Sequence, residues 1–485
     1  MVISEITSQE KNNLRKTKII CTLGPATSSK DMIKKLALAG MDIARLNFSH
    51  GTAQEHKRHL QFVRKISQEI GKPLGVLQDL EGYKIRTGPL EKGKKVFLKE
   101  GDFLDLVSEN KPGNNREVSI SYPQLYKFVK PGDRIFIDDG NIELKIKKVS
   151  PGKITTRVIT AGPLGERKGI HVPGVNLEFP CLTEKDKQDI RTGIELGVDY
   201  IAQSFVRSAK DIDLIKNILK KEKREEIKVL AKIEDSKGVE NIEEIIQVAN
   251  GIMIARGDMG VCLPRAQVPL IQKMIIRKCN QMGKPVITAT QMLDSMIRNH
   301  QPTRAEVADV ANAIMDGTDL LMLSGETAIG LYPEEAVKEM HRIAVTCEAS
   351  LKYEELLKIR EIPPPATIAD SIGFVTRQLA ELVKANVIVV FTLSGNTARI
   401  VSKYRPRARI IALTPNLPVA KELILYWGVE VLTVTKVDNV ETHYEVFLEE
   451  LVKKNLIKKG ELVVLTSGIK KELDKPSGNI KMISI

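Results

Sequence analysis

Polar residues that can do chemistry follow a series of short apolar runs in this chain. Lys232 and Glu234 close one run, and Arg256-Gly257-Asp258 follows the next. Asp79 ends an earlier one, with Lys84 and Arg86 just beyond it, and Arg45-Leu46-Asn47-Phe48-Ser49-His50-Gly51 ends another. Thr288 and Thr290, then Ser324-Gly325-Glu326-Thr327, end two more. Taken singly these are bland, since an Asp after a strand usually caps a helix and a lone Lys is usually solvated. Gathered on one rim, acids and bases together are costly unless the acids hold a metal and the bases hold an anion. Glu234 and Asp258 suit a hard cation such as Mg²⁺, which takes one or two carboxylates and completes its shell with water and substrate oxygens. Gly257-Asp258-Met259-Gly260, opening a helix, can offer backbone N–H groups to a carboxylate or phosphate. Metal, anion and basic side chains together point to phosphoryl or enolate chemistry.

The elements that must position these groups are legible in the spacing. Thr17 to Thr22, Asp42 to Asn47 and Pro73 to Asp79 read as strands, alternating with helical periodicity over Ser29 to Ala39 and His56 to Ile70. The rhythm breaks between about 89 and 170, where Gly and Pro accumulate and short alternating strands such as Arg134 to Ile137 and Ile142 to Ile146 replace helices. It resumes with strands at Val198 to Ala202, Lys228 to Lys232, Gly251 to Ala255, Pro285 to Ala289 and Asp319 to Leu323. Three strands and five make eight, which closes a (β/α)₈ barrel whose chemistry sits at the C-terminal strand ends. The expected organisation is a polar tail over 1–14, a barrel over 15–88 and 170–350, and an inserted all-β lid over 89–169. After the link Ile362-Pro363-Pro364-Pro365, a C-terminal α/β unit over 360–485 carries apolar strands at Val387 to Phe391 and Ile410 to Leu413.

Composition excludes several alternatives. At 485 residues and 42% apolar, the chain is globular and long enough for about three domains. The apolar run Val387 to Leu393 falls far short of the roughly 20 residues a membrane helix needs, and the polar start after Met1-Val2-Ile3 is unlike a secretion signal, so a cytoplasmic protein is expected. Cys21, Cys181, Cys262, Cys279 and Cys347 are scattered, which argues against disulfides or structural zinc and for small buried side chains. The net charge of +13 is interleaved with acids, as in Lys220 to Glu226, and aromatics are only 4%, so nucleic acid is a poor partner and anionic phosphates a better one.

The motifs then become specific. Thr17-Lys18-Ile19-Ile20-Cys21-Thr22-Leu23-Gly24-Pro25-Ala26, Ala44 to Gly51, Lys232-Ile233-Glu234, Ala255 to Gly260, Ala289 to Met296, Pro302 to Glu306 and Leu323 to Ala328 occur in one order. Over this span, from Lys18 to the C-terminus, the chain resembles pyruvate kinases. The resemblance implies transfer of the phosphoryl group of phosphoenolpyruvate to ADP, giving pyruvate and ATP through an enolate, the last step of glycolysis. It implies that Arg45 and Lys232 hold the phosphoryl group, and that Glu234 and Asp258 bind Mg²⁺ or Mn²⁺. Gly257, Asp258 and Thr290 are implied to grip the substrate carboxylate, and Asn47, His50, Arg86 and Lys185 the nucleotide phosphates. It also implies a mobile lid, a homotetramer and, at Thr392-Leu393-Ser394-Gly395-Asn396-Thr397, a loop for a sugar-phosphate or nucleotide effector, completed around Ser467-Gly468 and Pro476-Ser477-Gly478.

One stretch departs from members of the family that require K⁺. Leu80 stands where they carry Thr and Lys84 where they carry Glu, while Asn47, Ser49 and Asp79 keep the rest of the monovalent-cation pocket. A lost hydroxyl ligand and a gained ammonium lead to the expectation that K⁺ is not required. Tyr83, where the family usually has Pro, has no explanation at this level. Two rivals remain: another Mg²⁺–enolate barrel enzyme, such as an aldolase or a phosphoenolpyruvate mutase-type lyase, and a non-catalytic sensor. The lid and the bases disfavour the first, and the intact Lys232, Glu234, Asp258 and Thr290 the second.

Overall fold

A computed structural model describes residues 15–138, 140–175, 180–435, 440–467 and 479–485. The expected tail over 1–14 lies outside the described residues. Eight parallel strands close into a barrel: β1 (Lys18–Leu23), β2 (Ile43–Asn47), β3 (Gly75–Asp79), β4 (Tyr200–Gln203), β5 (Lys228–Ile233), β6 (Gly251–Ala255), β7 (Val286–Ala289) and β8 (Leu320–Leu323). Closure comes from β1 pairing with β8, with Ile19 opposite Leu321 and Cys21 opposite Leu323.

Alternation along each strand separates two apolar layers. Ile19 and Cys21, with Ala44, Leu46 and Val76, face the surrounding helices, whereas Ile20, Ile43, Leu77, Tyr200, Leu230 and Met253 fill the barrel. The helices are fixed at their ends by local chemistry. The helix Ala53–Ile70 starts with a reciprocal Thr52–Glu55 capping box, as do Glu184–Leu196 with Thr183 and Asp186 and Arg304–Asp316 with Thr303 and Glu306.

The inserted domain is a seven-stranded sheet around a separate core that includes Leu104, Leu106, Ile135, Leu144 and Val158. Its entry strand, Ile85–Arg86, pairs antiparallel with its exit strand, Gly169–His171, so the two crossings form one hydrogen-bonded hinge. Tyr83 belongs to this hinge, where its ring meets Tyr122 edge-on at 5.9 Å and packs against the inserted core.

The C-terminal unit is a five-stranded sheet with central strand β9 (Val387–Phe391), flanked by β10 (Arg409–Thr414) and β11 (Val429–Thr433) on one side and β12 (Leu462–Ser467) and β13 (Asn479–Ser484) on the other. All pairs are parallel except the last. This unit closes the N-terminal end of the barrel: Leu423, Ile424 and Tyr426 join the apolar cluster that fills the barrel interior, and the Tyr200 hydroxyl donates to the Lys421 carbonyl. Ion pairs Arg405–Asp319 at 2.9 Å, Lys228–Glu422 at 2.9 Å and Lys421–Asp199 at 2.7 Å stitch the seam.

The cysteines correct one expectation. Cys21, Cys279 and Cys347 are buried, but Cys181 is exposed and Cys262 only half-buried. The exposed Cys181 thiol donates to Oδ1 of the buried Asp211 at 2.7 Å. Among the described residues, no helix is long and apolar enough to cross a membrane.

Candidate active site

The C-terminal ends of the barrel strands surround a cavity of about 750 Å³, in the size range of small-molecule sites. Its centre is the ammonium of Lys232, at the end of β5. Lys232 lies 3.0 Å from Asp79 Oδ1 and 3.2 Å from Glu234 Oε1, and donates to Ser204 Oγ at 2.6 Å. The Ser204 hydroxyl in turn donates to the Leu80 carbonyl at 2.7 Å, which leaves its lone pairs to meet the lysine. Asp79 is shared, because its other oxygen accepts from Arg45 Nε at 2.7 Å. Arg45 also donates to Thr22 Oγ1 at 2.8 Å, so the guanidinium is held by two partners.

The charges are mutually dependent. Burial alone would lower the Lys232 ammonium, but Asp79 and Glu234 outweigh it and hold its pKa above the ordinary value. Burial opposes ionisation of Asp79, which Lys232 and Arg45 nevertheless keep below the usual carboxylate range. Glu234, wholly buried, is pushed above that range by burial despite Lys232. Asp258 resists its own burial because Lys84 and Lys232 hold it low, and Lys84 Nζ sits 2.8 Å from its Oδ1.

Glu234 and Asp258 fit a divalent cation. Glu234 Oε2 accepts from Phe205 N at 2.7 Å, which aims the carboxylate, while the buried Oε1 has only the Lys232 ammonium, 3.2 Å away, as a partner. A buried carboxylate with lone pairs to spare beside a second carboxylate is the donor chemistry of Mg²⁺ or Mn²⁺.

Beside this centre, Thr290 Oγ1 accepts from Gly257 N at 2.8 Å and donates to Ala289 O at 2.6 Å, placing a hydroxyl and an N–H together. Arg45, Asn47, Ser49, His50, Asp79, Lys84, Arg86, Lys232, Glu234, Asp258 and Thr290 all line the one cavity. Three expected residues do not. Leu80 is buried, its carbonyl rather than its side chain serving Ser204; Gly257 contributes through its N–H; and Lys185 stands to one side, donating to Phe48 O at 2.8 Å and pairing with Asp189. Arg86 is held by Glu81 at 2.7 Å and by the Arg167 carbonyl.

Sequence reading missed Ser204, which immediately follows β4, and the inserted domain's own lining residues Asp138, Glu166, Lys168 and His171. Ser204 carries the same signal as the others, a polar residue at a strand's C-terminal end. The loop Thr392–Thr397 is folded on itself, with Thr392 Oγ1 accepting from Gly395 N at 2.9 Å and Ser394 exposed, ahead of the helix Asn396–Lys403. Gly468, Pro476, Ser477 and Gly478, expected to complete an effector site, lie outside the described residues.

Comparison with known proteins identifies the family. A family model described as "Pyruvate kinase, barrel domain" matches residues 14–337, and one described as "Pyruvate kinase, alpha/beta domain" matches 370–483. A pyruvate kinase of Geobacillus stearothermophilus is 47% identical over 94% of this chain and 78% of its own length. One of Sporosarcina psychrophila is 44% identical over the same shares. A crystal structure of a pyruvate kinase from Cryptosporidium parvum superposes with a TM-score of 0.90 at 35% identity, covering 99% of this chain and 97% of that one. The chain belongs to the pyruvate kinase family.

Proposed function

We propose that this enzyme moves the phosphoryl group of phosphoenolpyruvate to ADP, with Lys232 as its principal charge stabiliser. The observation that carries the reading is the Lys232 ammonium held between two buried carboxylates at 3.0 and 3.2 Å inside the cavity. Phosphoryl transfer needs positioning and charge stabilisation more than covalent help from the protein. Arg45 and Lys232 bind the phosphoryl oxygens, and Lys232 stays at the enolate oxygen after transfer. Thr290 and the backbone N–H groups of Gly257 and Asp258 hold the substrate carboxylate, fixing the orientation of the reacting bond. When held by Glu234 and Asp258, a divalent ion such as Mg²⁺ or Mn²⁺ supplies positive charge to the phosphoryl and enolate oxygens. Asn47, His50, Arg86 and Lys185 receive the nucleotide phosphates, and the inserted domain, hinged at Ile85–Arg86 and Gly169–His171, closes to exclude water.

K⁺ is not required in this reading. The Lys84 ammonium reaches the same cavity as Asn47, Ser49 and Asp79, and the Leu80 side chain leaves no hydroxyl for a monovalent ion. The loop Thr392 to Thr397 is the effector-phosphate site, and the enzyme works in the cytoplasm. The enzyme is a homotetramer in this reading, as the family resemblance implies, and the exposed apolar stripe Ile368, Val375 and Leu382, seven residues apart on the helix Ile368–Leu382, offers a face for self-association.

The deciding experiment measures pyruvate formed from phosphoenolpyruvate with and without ADP, Mg²⁺ and K⁺. Pyruvate that requires ADP and Mg²⁺ but not K⁺ is expected. Turnover without ADP would indicate a lyase or aldolase on the same barrel, and no turnover a sensor.

A further inference from the structure

Arg256 opens the short helix Arg256–Cys262 yet does not line the cavity, and the reaction as proposed leaves it without a task. Its side chain is only 10% exposed, and its Nη1 donates to both carboxylate oxygens of Asp309, at 2.8 Å to Oδ1 and 2.7 Å to Oδ2. Its other terminal nitrogen, Nη2, donates to two successive carbonyls, Thr290 O at 2.7 Å and Gln291 O at 3.1 Å. Those two residues are both left-handed, with φ of +70° and +53°. That conformation is unusual for any side chain and an outlier for a β-branched one such as Thr. A chain holds it only where its surroundings over-determine it. Here one planar, always-charged fork fixes both carbonyls, and Asp309, from the helix Arg304–Asp316, fixes the fork.

The consequence falls on the side chain rather than the carbonyl. With the Thr290 carbonyl turned out to Arg256, its hydroxyl turns in, to within 2.8 Å of the Gly257 N–H. We propose that Arg256, oriented by Asp309, is a positioning residue that locks the Thr290–Gln291 turn in its left-handed form and thereby sets the hydroxyl and N–H pair that receives the substrate carboxylate. This rests on the function proposed above, and it extends the substrate site to a charged pair behind it.

The test compares Arg256→Lys, Arg256→Lys/Gln291→Gly and Asp309→Asn with the parent enzyme, by pyruvate formation and by calorimetric binding of phosphoenolpyruvate. Lys keeps the charge but cannot serve two carbonyls and a carboxylate at once. Arg256→Lys is expected to lower kcat/KM for phosphoenolpyruvate by about 10- to 100-fold, the scale of a small misplacement of a binding group, with the KM for ADP unchanged. Asp309→Asn should give a smaller loss in the same parameter. Glycine adopts a left-handed φ without strain, so adding Gln291→Gly should restore part of the loss and part of the binding affinity. An unchanged KM for phosphoenolpyruvate in Arg256→Lys overturns the proposal. So does a loss that Gln291→Gly does not relieve or that falls equally on ADP, since that is the mark of a merely structural role. If the Lys variant fails to fold, Asp309→Asn decides by the same parameters. A parent enzyme that makes no pyruvate would instead sink the functional reading itself.

Discussion

Lys84 and Asp258 meet between the inserted domain's hinge and the barrel mouth, the ammonium 2.8 Å from the carboxylate Oδ1. A lysine from the hinge thus neutralises one of the two carboxylates suited to a divalent ion. The same ammonium lies over the Phe205 ring, 5.6 Å from its centroid. Replacing it removes both a fixed positive charge from the cavity and a competitor for Asp258.

Lys84→Ala should therefore move two measurements in opposite directions. Divalent-ion affinity without substrate, followed by Mn²⁺ paramagnetic resonance, should rise because Asp258 loses its internal cation. Turnover should fall by about 10-fold or more, the worth of one charge contact at roughly 1.4 kcal/mol, and added K⁺ should recover part of it. Full activity in K⁺-free buffer would remove Lys84 from the reaction.

Lys232→Met tests the central charge. Losing one preorganised donor to developing negative charge costs about 10²- to 10³-fold in kcat. Because Glu234 also loses its internal cation, as Asp258 does in the Lys84 variant, apparent Mg²⁺ affinity should hold or rise while kcat falls. Steady-state assays across a Mg²⁺ series separate the two effects.

Much of this arrangement was written in local pattern. Each barrel strand is a run of four to six residues bounded by turn chemistry, and the loss of helical period marked the inserted domain before any contact was known. That Lys232, Glu234 and Asp258, at or just beyond strand ends, share one cavity was legible for the same reason. What stayed hidden depends on pairs far apart in the chain. Arg256 and Asp309 are separated by 53 positions and Tyr200 and Lys421 by 221, so neither partner carries a mark of the other. Cys181 misled because the average burial of its residue type carries no information about one position, and here the thiol is exposed with a buried carboxylate, Asp211, as its partner. Tyr83 became intelligible only once Tyr122 was in place beside it.

His59 gives the stability an acid-side slope. It lies on the buried face of the helix Ala53–Ile70, and neither ring nitrogen has a hydrogen-bond partner. Burial, helped by neighbouring His56 and Arg58, pulls its pKa from 6.5 to about 4. The unfolded chain therefore takes up a proton that the folded one refuses, so this stability is present above about pH 6.5 and is lost as pH falls toward 4. Between pH 7 and pH 5 the loss is about 2 kcal/mol. His59→Leu should shrink the difference between urea midpoints measured at those two pH values, and an undiminished difference would place the slope elsewhere.

Arg405 and Asp319 provide the sharpest test of the seam between barrel and C-terminal unit. Their side chains are 3% and 4% exposed, 2.9 Å apart, and Asp319 also accepts from Val286 N at 3.0 Å at the start of β7. Burial already pushes the Asp319 carboxyl above its ordinary value, with Arg405 as the main opposing charge. Arg405→Met would strand that carboxylate beneath the barrel, and breaking one half of a buried pair costs about 3–5 kcal/mol. Asp319→Asn in the same chain removes the stranded charge while keeping an oxygen for Val286, so the double variant should recover most of the loss. Denaturant melts of both variants read this directly. Additive losses would mean that the two side chains stabilise the seam independently, whereas recovery identifies the pair as the unit that joins the domains.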